Sequence, residues 1–202
     1  MSSIWTELMG VEYSQKYYDV NGIKTRAIEA GSGPVLIFLH GTGGHAEAYV
    51  RNIEEHAKHF HVYAIDMIGH GYTDRPDCDY DMNDFVDHIV NFIGTIGADK
   101  VYLSGESLGA MVASWTAIRF PEKVIKLVQN TGILMAPNGE GKAELADALE
   151  RSKKAAGQLT KDIVRARMSW LMAEPEKTMT AENIEDRYNI HKQPGKPPVV
   201  GK

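Results

Sequence analysis

The chain has 202 residues, 43% of them hydrophobic, with 27 acidic against 22 basic side chains and a formal net charge of -5. A chain of that length buries roughly 70% of the surface its unfolded form exposes, so it needs neither disulfides nor metals to make one core. The negative balance supplies no basic field for nucleic acid or an anionic membrane, and nowhere do eighteen apolar residues run together, which leaves a small molecule as the expected partner. Cys78, the single cysteine, lies between Asp77 and Asp79, whose charges would raise its thiol pKa, and reads as an unreactive loop residue. The segment MSSIWTELMG has neither the basic nor the apolar part of a secretion signal, so the cytoplasm is the expected compartment.

Residues 13 to 29 read as two short strands, YSQKYYDV and IKTRAIEA, joined at Asn21-Gly22, a strong hairpin signal. Gly31-Ser32-Gly33-Pro34 breaks the pattern, and VLIFL at 35–39 is a wholly apolar run of the kind buried on both faces of a parallel sheet. The glycine-rich loop HGTGGH follows, then a helix at about 46–58, a strand VYAI at 62–65 and a long Gly/Asp/Pro turn region. A helix at about 82–96 carries Phe85, Ile89, Phe92, Ile93 and Ile96 on one face, with Asp81 as N-cap and Gly97 as stop. Strand VYLS at 101–104, a helix after Ser107 and strand VIKLVQN at 124–130 complete a strand–helix–strand unit.

This alternation predicts an α/β fold: a mostly parallel sheet opened by an N-terminal hairpin, with helices on both faces. From Gly139 to about Gln193 only helical patterns occur, in ELADALERSKKAAG, TKDIVRARMSWLMAE and TAENIEDRYNIHKQ, separated by Gly157 and Pro175. The expected organisation is a core over 1–132, a helical lid over 133–193 and an extended tail over 194–202, where three prolines stand among nine residues.

Gly105-Glu106-Ser107-Leu108-Gly109 matches G-x-S-x-G between a strand and a helix. A serine on so sharp a corner is strained, and larger neighbours than glycine would collide with the packed strand and helix. The corner exposes the hydroxyl over a helix N-terminus, where the Leu108 N–H and the helix dipole favour an oxyanion. Ser107 is therefore the candidate nucleophile; the alternative is a plain helix N-cap. A second donor is expected from the loop His40-Gly41-Thr42-Gly43-Gly44, with the Thr42 N–H as candidate and His40 as a structural pin.

With HG-T-GG, D-x-x-GHG-Y-T-D-RP and GESLGA in this order, the chain resembles the α/β-hydrolase superfamily over residues 13 to 132. Asn52 in YVRNI and Arg187 in IEDRYNIHKQP resemble polar substrate contacts of the meta-cleavage product hydrolases, which cleave a C–C bond in 2-hydroxy-6-oxo-dienoate products of aromatic ring fission. The resemblance implies a serine nucleophile, no metal or organic cofactor, and Arg187 as the lid arginine that binds the substrate carboxylate. It also makes Gly41, Gly43, Glu106 and Trp170 substrate-side candidates, with Met168, Leu171 and Met172 sheltering an apolar tail. Two positions depart from it: many members carry Asn where Glu106 stands, and a Gly-Pro step where Gly43-Gly44 stands. Independently, Ile184, Arg187, Tyr188 and His191 share one helix face by spacing, which leans the guanidinium toward apolar surroundings and a carboxylate ligand.

His56, His59 and His61 mimic metal-ligand spacing but straddle a helix end and a strand start, where cations are favourable without a metal. After Ser107 the only histidine is His191, inside the lid pattern, and two strand–helix units that would carry a triad acid and histidine are not found. Three readings stay open: a C–C bond hydrolase lacking its last two strands, an esterase or thioesterase of the same fold, and a non-catalytic binding module. Homo-oligomerisation is undecided.

Overall fold

The computed structural model describes residues 3–132 and 159–195; the predicted helix ELADALERSKKAAG, the boundary at 133 and most of the tail lie outside them. Six strands form one sheet: β1 Tyr13–Val20, β2 Ile23–Ala30, β3 Val35–Leu39, β4 His61–Ile65, β5 Val101–Glu106 and β6 Val124–Asn130. Their order is β1-β2-β4-β3-β5-β6. The β1–β2 hairpin and its junction with β4 are antiparallel, and every other pairing is parallel. The hairpin turns where expected, with Asn21 (φ 52°) and Gly22 (φ 83°) both left-handed, the requirement of a type I′ turn.

Alternate residues of the central strands enter different cores. Ile37, Leu39, Tyr63, Ile65, Val101 and Leu103 pack on one face of the sheet with helices α2 (Met82–Thr95) and α3 (Leu108–Arg119). Leu36, Phe38, Val62 and Ala64 pack on the other with α1 (Val50–Ala57). The apolar run at 35–39 is thus buried on both sides, which is why it shows no alternation. Helix α2 begins with a reciprocal capping box between Asp81 and Asp84. The helix expected over 46–58 opens instead as a 3₁₀ turn, Ala46–Tyr49. Tertiary bonds shape that turn: the Ala46 N–H donates to Asp66 Oδ1 at 2.6 Å and the Tyr49 hydroxyl to Leu39 O at 2.8 Å.

Among the described residues three further helices follow, α4 (Lys161–Leu171), the single turn α5 (Pro175–Thr178) and α6 (Ala181–His191). Pro175 therefore starts a turn of helix as well as separating two longer ones, its fixed φ suiting that first position. Thr160 and Thr180 cap α4 and α6 by accepting from Ile163 N and Asn183 N. Val164, Met168 and Ile184 make a small apolar cluster between these helices, separate from the two sheet cores. Among the described residues β6 is paired on one side only, with β5, and no helix is long and apolar enough to cross a membrane.

Candidate active site

Strands β3 and β5 are neighbours in parallel register, with Leu39 opposite Gly105, so the loops leaving their carboxyl ends must meet. They do so at Ser107. Its backbone takes φ 51° and ψ -112°, conformations that a non-glycine residue holds only when its surroundings over-determine it. The enforcing contacts are visible. The Ser107 N–H donates to Asn130 O at 2.9 Å, and the Ala110 and Met111 N–H groups both return to Ser107 O at 3.1 Å. A Cβ at Gly105 would lie 2.5 Å from Ala110 N, and one at Gly109 would lie 2.7 Å from His40 O. The Ser107 side chain makes no capping bond to α3, so the geometry offers no support for the plain N-cap alternative.

The 40–44 loop is pinned from beneath. His40 Nε2 accepts the Met67 N–H at 3.1 Å, so its proton resides on Nδ1, which donates to Gly41 O at 2.8 Å. Burial pulls the pKa of this ring down to about 3, leaving it a neutral strut. The Glu106 carboxylate covers Gly41: a Cβ there would lie 3.0 Å from Glu106 Cδ, so a larger residue would displace that side chain. The Glu106 carboxyl is pushed up by burial, against a hydrogen bond from Gly41 and the charge of Arg187. A second pin is the fully buried Asp66, which accepts from Ala46 N and from Tyr72 N and pairs with Arg26. This explains D-x-x-GHG chemically: a Cβ at Gly71 would lie 2.5 Å from Asp66 Oδ1.

A cavity of about 130 Å³ lies between this platform and α4 and α6; Thr42, Gly43, Arg167, Met168, Arg187 and His191 are among the residues lining it. Arg187 Nη1 donates to Gly43 O at 3.3 Å. Burial, followed by the like charge of Arg167, depresses the Arg187 pKa to about 10. His191 Cε1 stands 3.1 Å from where a Cβ on Gly43 would lie, and burial, then neighbouring guanidiniums, bring its pKa to about 4.

Of the residues singled out in the sequence, Thr42, Gly43, Arg187, Met168 and Leu171 line this cavity. Ser107, Leu108, Gly41 and Glu106 belong to the corner where the β3 and β5 loops meet and are not among the residues lining the cavity. Asn52 lies on the exposed side of α1, and Trp170 is 78% exposed on α4, so neither is brought to the cavity. Among the described residues none hydrogen-bonds the Ser107 hydroxyl as a base, and no group of three or more His, Cys, Asp or Glu could hold a metal ion. Sequence reasoning missed Arg167. It shares a face of α4 with Val164, Met168 and Leu171 by i+3 and i+4 spacing, the same signal that drew out Arg187.

Residues 34–172 match the alpha/beta hydrolase fold family. The chain belongs to that family. A 2-(acetamidomethylene)succinate hydrolase of Mesorhizobium japonicum is 33% identical over 145 residues, 72% of this chain and 50% of that protein. A 2-hydroxymuconate semialdehyde hydrolase of Pseudomonas sp. is 37% identical over 111 residues, 53% of this chain and 39% of that protein. Among solved structures, a point mutant of a meta-cleavage product hydrolase (CumD) superposes with a TM-score of 0.73 at 26% identity, covering 89% of this chain and 64% of the other. The chain spans about half the length of the curated relatives it matches.

Proposed function

We propose that these residues carry the nucleophile and lid of a serine hydrolase that, as a whole protein, cleaves a C–C bond in 2-hydroxy-6-oxo-dienoate ring-fission products. The observation that carries the reading is the strained Ser107 corner at the end of β5, next to the β3 loop whose Thr42 and Gly43 line the cavity that α6 supplies with Arg187. The relatives named as hydrolases of 2-hydroxymuconate semialdehyde and of 2-hydroxy-6-oxo-6-(2'-aminophenyl)hexa-2,4-dienoic acid support the substrate class.

In this mechanism the dienol first becomes its keto tautomer, a proton moving from the 2-hydroxyl to C5. Ser107 Oγ then attacks the C6 carbonyl, and the Thr42 and Leu108 N–H groups receive the oxyanion. The C5–C6 bond breaks, its electron pair passing into the 2-oxo system to give a dienol, and water hydrolyses the acyl-serine. Arg187 holds the substrate carboxylate. The proton of Oγ must pass to a base that the described residues do not supply.

The test uses the whole protein. Ser107→Ala should lower turnover by about three orders of magnitude or more while sparing binding; a variant keeping more than about a tenth of wild-type turnover would exclude Ser107. The esterase reading is separated by Arg187→Ala. Loss of the guanidinium should cut dienoate turnover by roughly thirtyfold or more and leave a neutral p-nitrophenyl ester nearly unaffected. An unchanged ratio of the two substrates favours the esterase.

A further inference from the structure

A second cavity, of about 230 Å³, shares Met168 and Arg187 with the first. The rest of its wall comes from segments that the first cavity does not use: the 3₁₀ turn Ile4–Leu8, residues 45–51 and the junction of α5 with α6. Ser107 lines neither cavity.

Two side chains of this wall leave a buried acceptor unbonded. Hydrogen bonds from His45 and Arg26 keep Glu47 ionised, so its carboxylate accepts and His45 Nδ1 donates to it at 2.6 Å. The neutral ring then has Nε2 left as an acceptor. His45 is only 4% exposed, and among the described residues nothing donates to that nitrogen. Asn183 repeats the arrangement on α6. Its Nδ2 donates to Thr178 O at 2.7 Å, which fixes the orientation of the amide and leaves Oδ1 buried without a donor. Asp186 follows three residues later, on the same side of α6, and lines the same cavity. Among the described residues no cation reaches it as an ion pair. Burial, then the charges of Glu182 and Glu47, push its carboxyl up.

The charge balance decides what kind of donor fits these three acceptors. Arg51 is paired with Glu7, and Lys177 with Glu174. Arg26 serves two carboxylates, Glu47 and Asp66, so that network has one negative charge in excess. Asp186 adds another, as does Glu182, which accepts the Ser3 hydroxyl. Arg187 offsets one of these, while Glu106 and Arg167, which line no part of this cavity, offset each other. The wall is therefore left negative, and a cation is favoured over an anion. An ammonium head brings three N–H donors to three acceptors. Met168, Met172 and Met179 supply an adaptable apolar lining for a short alkyl chain.

We propose that this second cavity is a binding site for a small primary alkylammonium compound, its head shared by His45 Nε2, Asn183 Oδ1 and the Asp186 carboxylate. The site goes beyond the hydrolase reading and stands or falls apart from it.

Calorimetric titration of the whole protein with n-butylammonium and with n-butanol, equal in length and different in charge, tests the proposal. A pH of about 8 suits it, since an alkylamine stays protonated there and an ordinary imidazole does not. The ammonium is expected to bind with a Kd below about 10 mM and at least about tenfold more tightly than the alcohol. Asp186→Asn keeps the shape, removes the charge and should weaken the ammonium by at least about tenfold, with the alcohol changed by less than about threefold. Glu185→Gln, the same charge change outside the cavity, should leave the ratio as in wild type. In a nitrogen NMR titration the His45 ring resonances should shift on adding butylammonium, and those of the exposed His59 should not. No binding up to about 10 mM, equal binding of amine and alcohol, an Asp186→Asn ratio like that of wild type, or an unmoved His45 signal would each overturn the proposal. Ser107→Ala should bind butylammonium as wild type does; loss of binding there would put the amine at the Ser107 corner and overturn this site.

Discussion

Gly109 and Leu39 approach so closely that a Cβ on residue 109 would overlap the Leu39 carbonyl oxygen, with the His40 carbonyl oxygen only 2.7 Å away. Both partners are backbone at the joint between β3 and the start of α3, so neither can rotate away. Gly109→Ala should therefore cost about 1–3 kcal/mol, the usual range for overpacking a tight site. The helix can relieve the overlap only by backing away from β3, carrying the Leu108 N–H from the Thr42 loop. Chemical denaturation checks the first effect, and the rate of Ser107 acylation by a fluorophosphonate in the whole protein checks the second. A variant with wild-type stability would show that the two loops are not in contact as described.

Ser107 is held at φ 51°, a strain of about 1–3 kcal/mol for a side chain with a Cβ. Glycine adopts such a backbone freely, at an entropic cost of roughly 0.5–1 kcal/mol. Ser107→Gly should thus leave stability unchanged or raise it by about 1 kcal/mol, while Ser107→Ala, which keeps the Cβ, should not gain. Both should lower turnover by about three orders of magnitude or more. Thermal unfolding of the two variants side by side decides the matter; equal loss in both would mean that the hydroxyl itself supports the fold.

Acid should destabilise the chain well above the carboxylate range. His40 and His88 are buried with pKa values lowered by burial to about 3, against 6.5 for an exposed ring. His88 accepts the Ile68 N–H on Nδ1 at 3.3 Å and donates from Nε2 to the Thr25 hydroxyl at 2.7 Å, so neutrality is built into its contacts. Because the unfolded chain binds protons that the folded chain refuses, this stability is complete above about pH 6.5 and declines as pH falls toward about 3. Each histidine contributes a slope near 1.4 kcal/mol per pH unit inside that window. His88→Gln should flatten the slope of denaturation free energy by about one such increment. A stability that is level between about pH 7 and about pH 5 would contradict the burial of both rings.

Much of this was legible in the sequence because local chemistry and tertiary context agree there. Asn21-Gly22, the apolar run 35–39 and the capping residue Asp81 each demand one conformation whatever surrounds them. Arg187 was legible because its neighbours on α6 reveal which way it leans. Arg26 was not: in IKTRAIEA it alternates like a solvated strand residue, yet it is 1% exposed. Its partners Glu47 and Asp66 are 21 and 40 residues away, and no periodicity reports a charge network assembled from three separate loops and strands. Trp170 misled in the opposite direction, since an aromatic residue in an amphipathic stretch suggests burial that the turn of α4 does not deliver.

The outer edge of β6 carries a further consequence. Val128 is 55% exposed and Ile125 43%, and Ile118 of the adjacent α3 is 63% exposed. Among the described residues no strand pairs with that edge, and a β-branched edge left unpaired templates pairing with another chain. The 202-residue chain should therefore associate with increasing concentration, and Val128→Lys, a charge on that edge, should suppress association without lowering thermal stability by more than about 0.5 kcal/mol. Light scattering across a concentration series measures this, and a wild-type chain that stays monomeric throughout would refute it.

The Arg26 network makes the largest stability prediction. Its guanidinium pairs with Glu47 and, at 3.0 Å, with Asp66, while His45 Nδ1 meets Glu47 at 2.6 Å. Burial would raise the Glu47 pKa, but hydrogen bonds from His45 and Arg26 outweigh it and hold the carboxyl far below its usual range. Removing the cation leaves two carboxylates enclosed, so Arg26→Met should cost about 3–5 kcal/mol even though methionine fills much of the space. Adding Glu47→Gln to that variant removes one stranded charge and should recover about 1–2 kcal/mol, a coupling typical of contacting residues. The same network tethers Ala46 and Tyr72 through Asp66, so Arg26→Met should also loosen the platform under Thr42, seen as faster amide exchange at residues 42–46. Strictly additive effects of the two substitutions would show that Arg26 and Glu47 do not share one buried interaction.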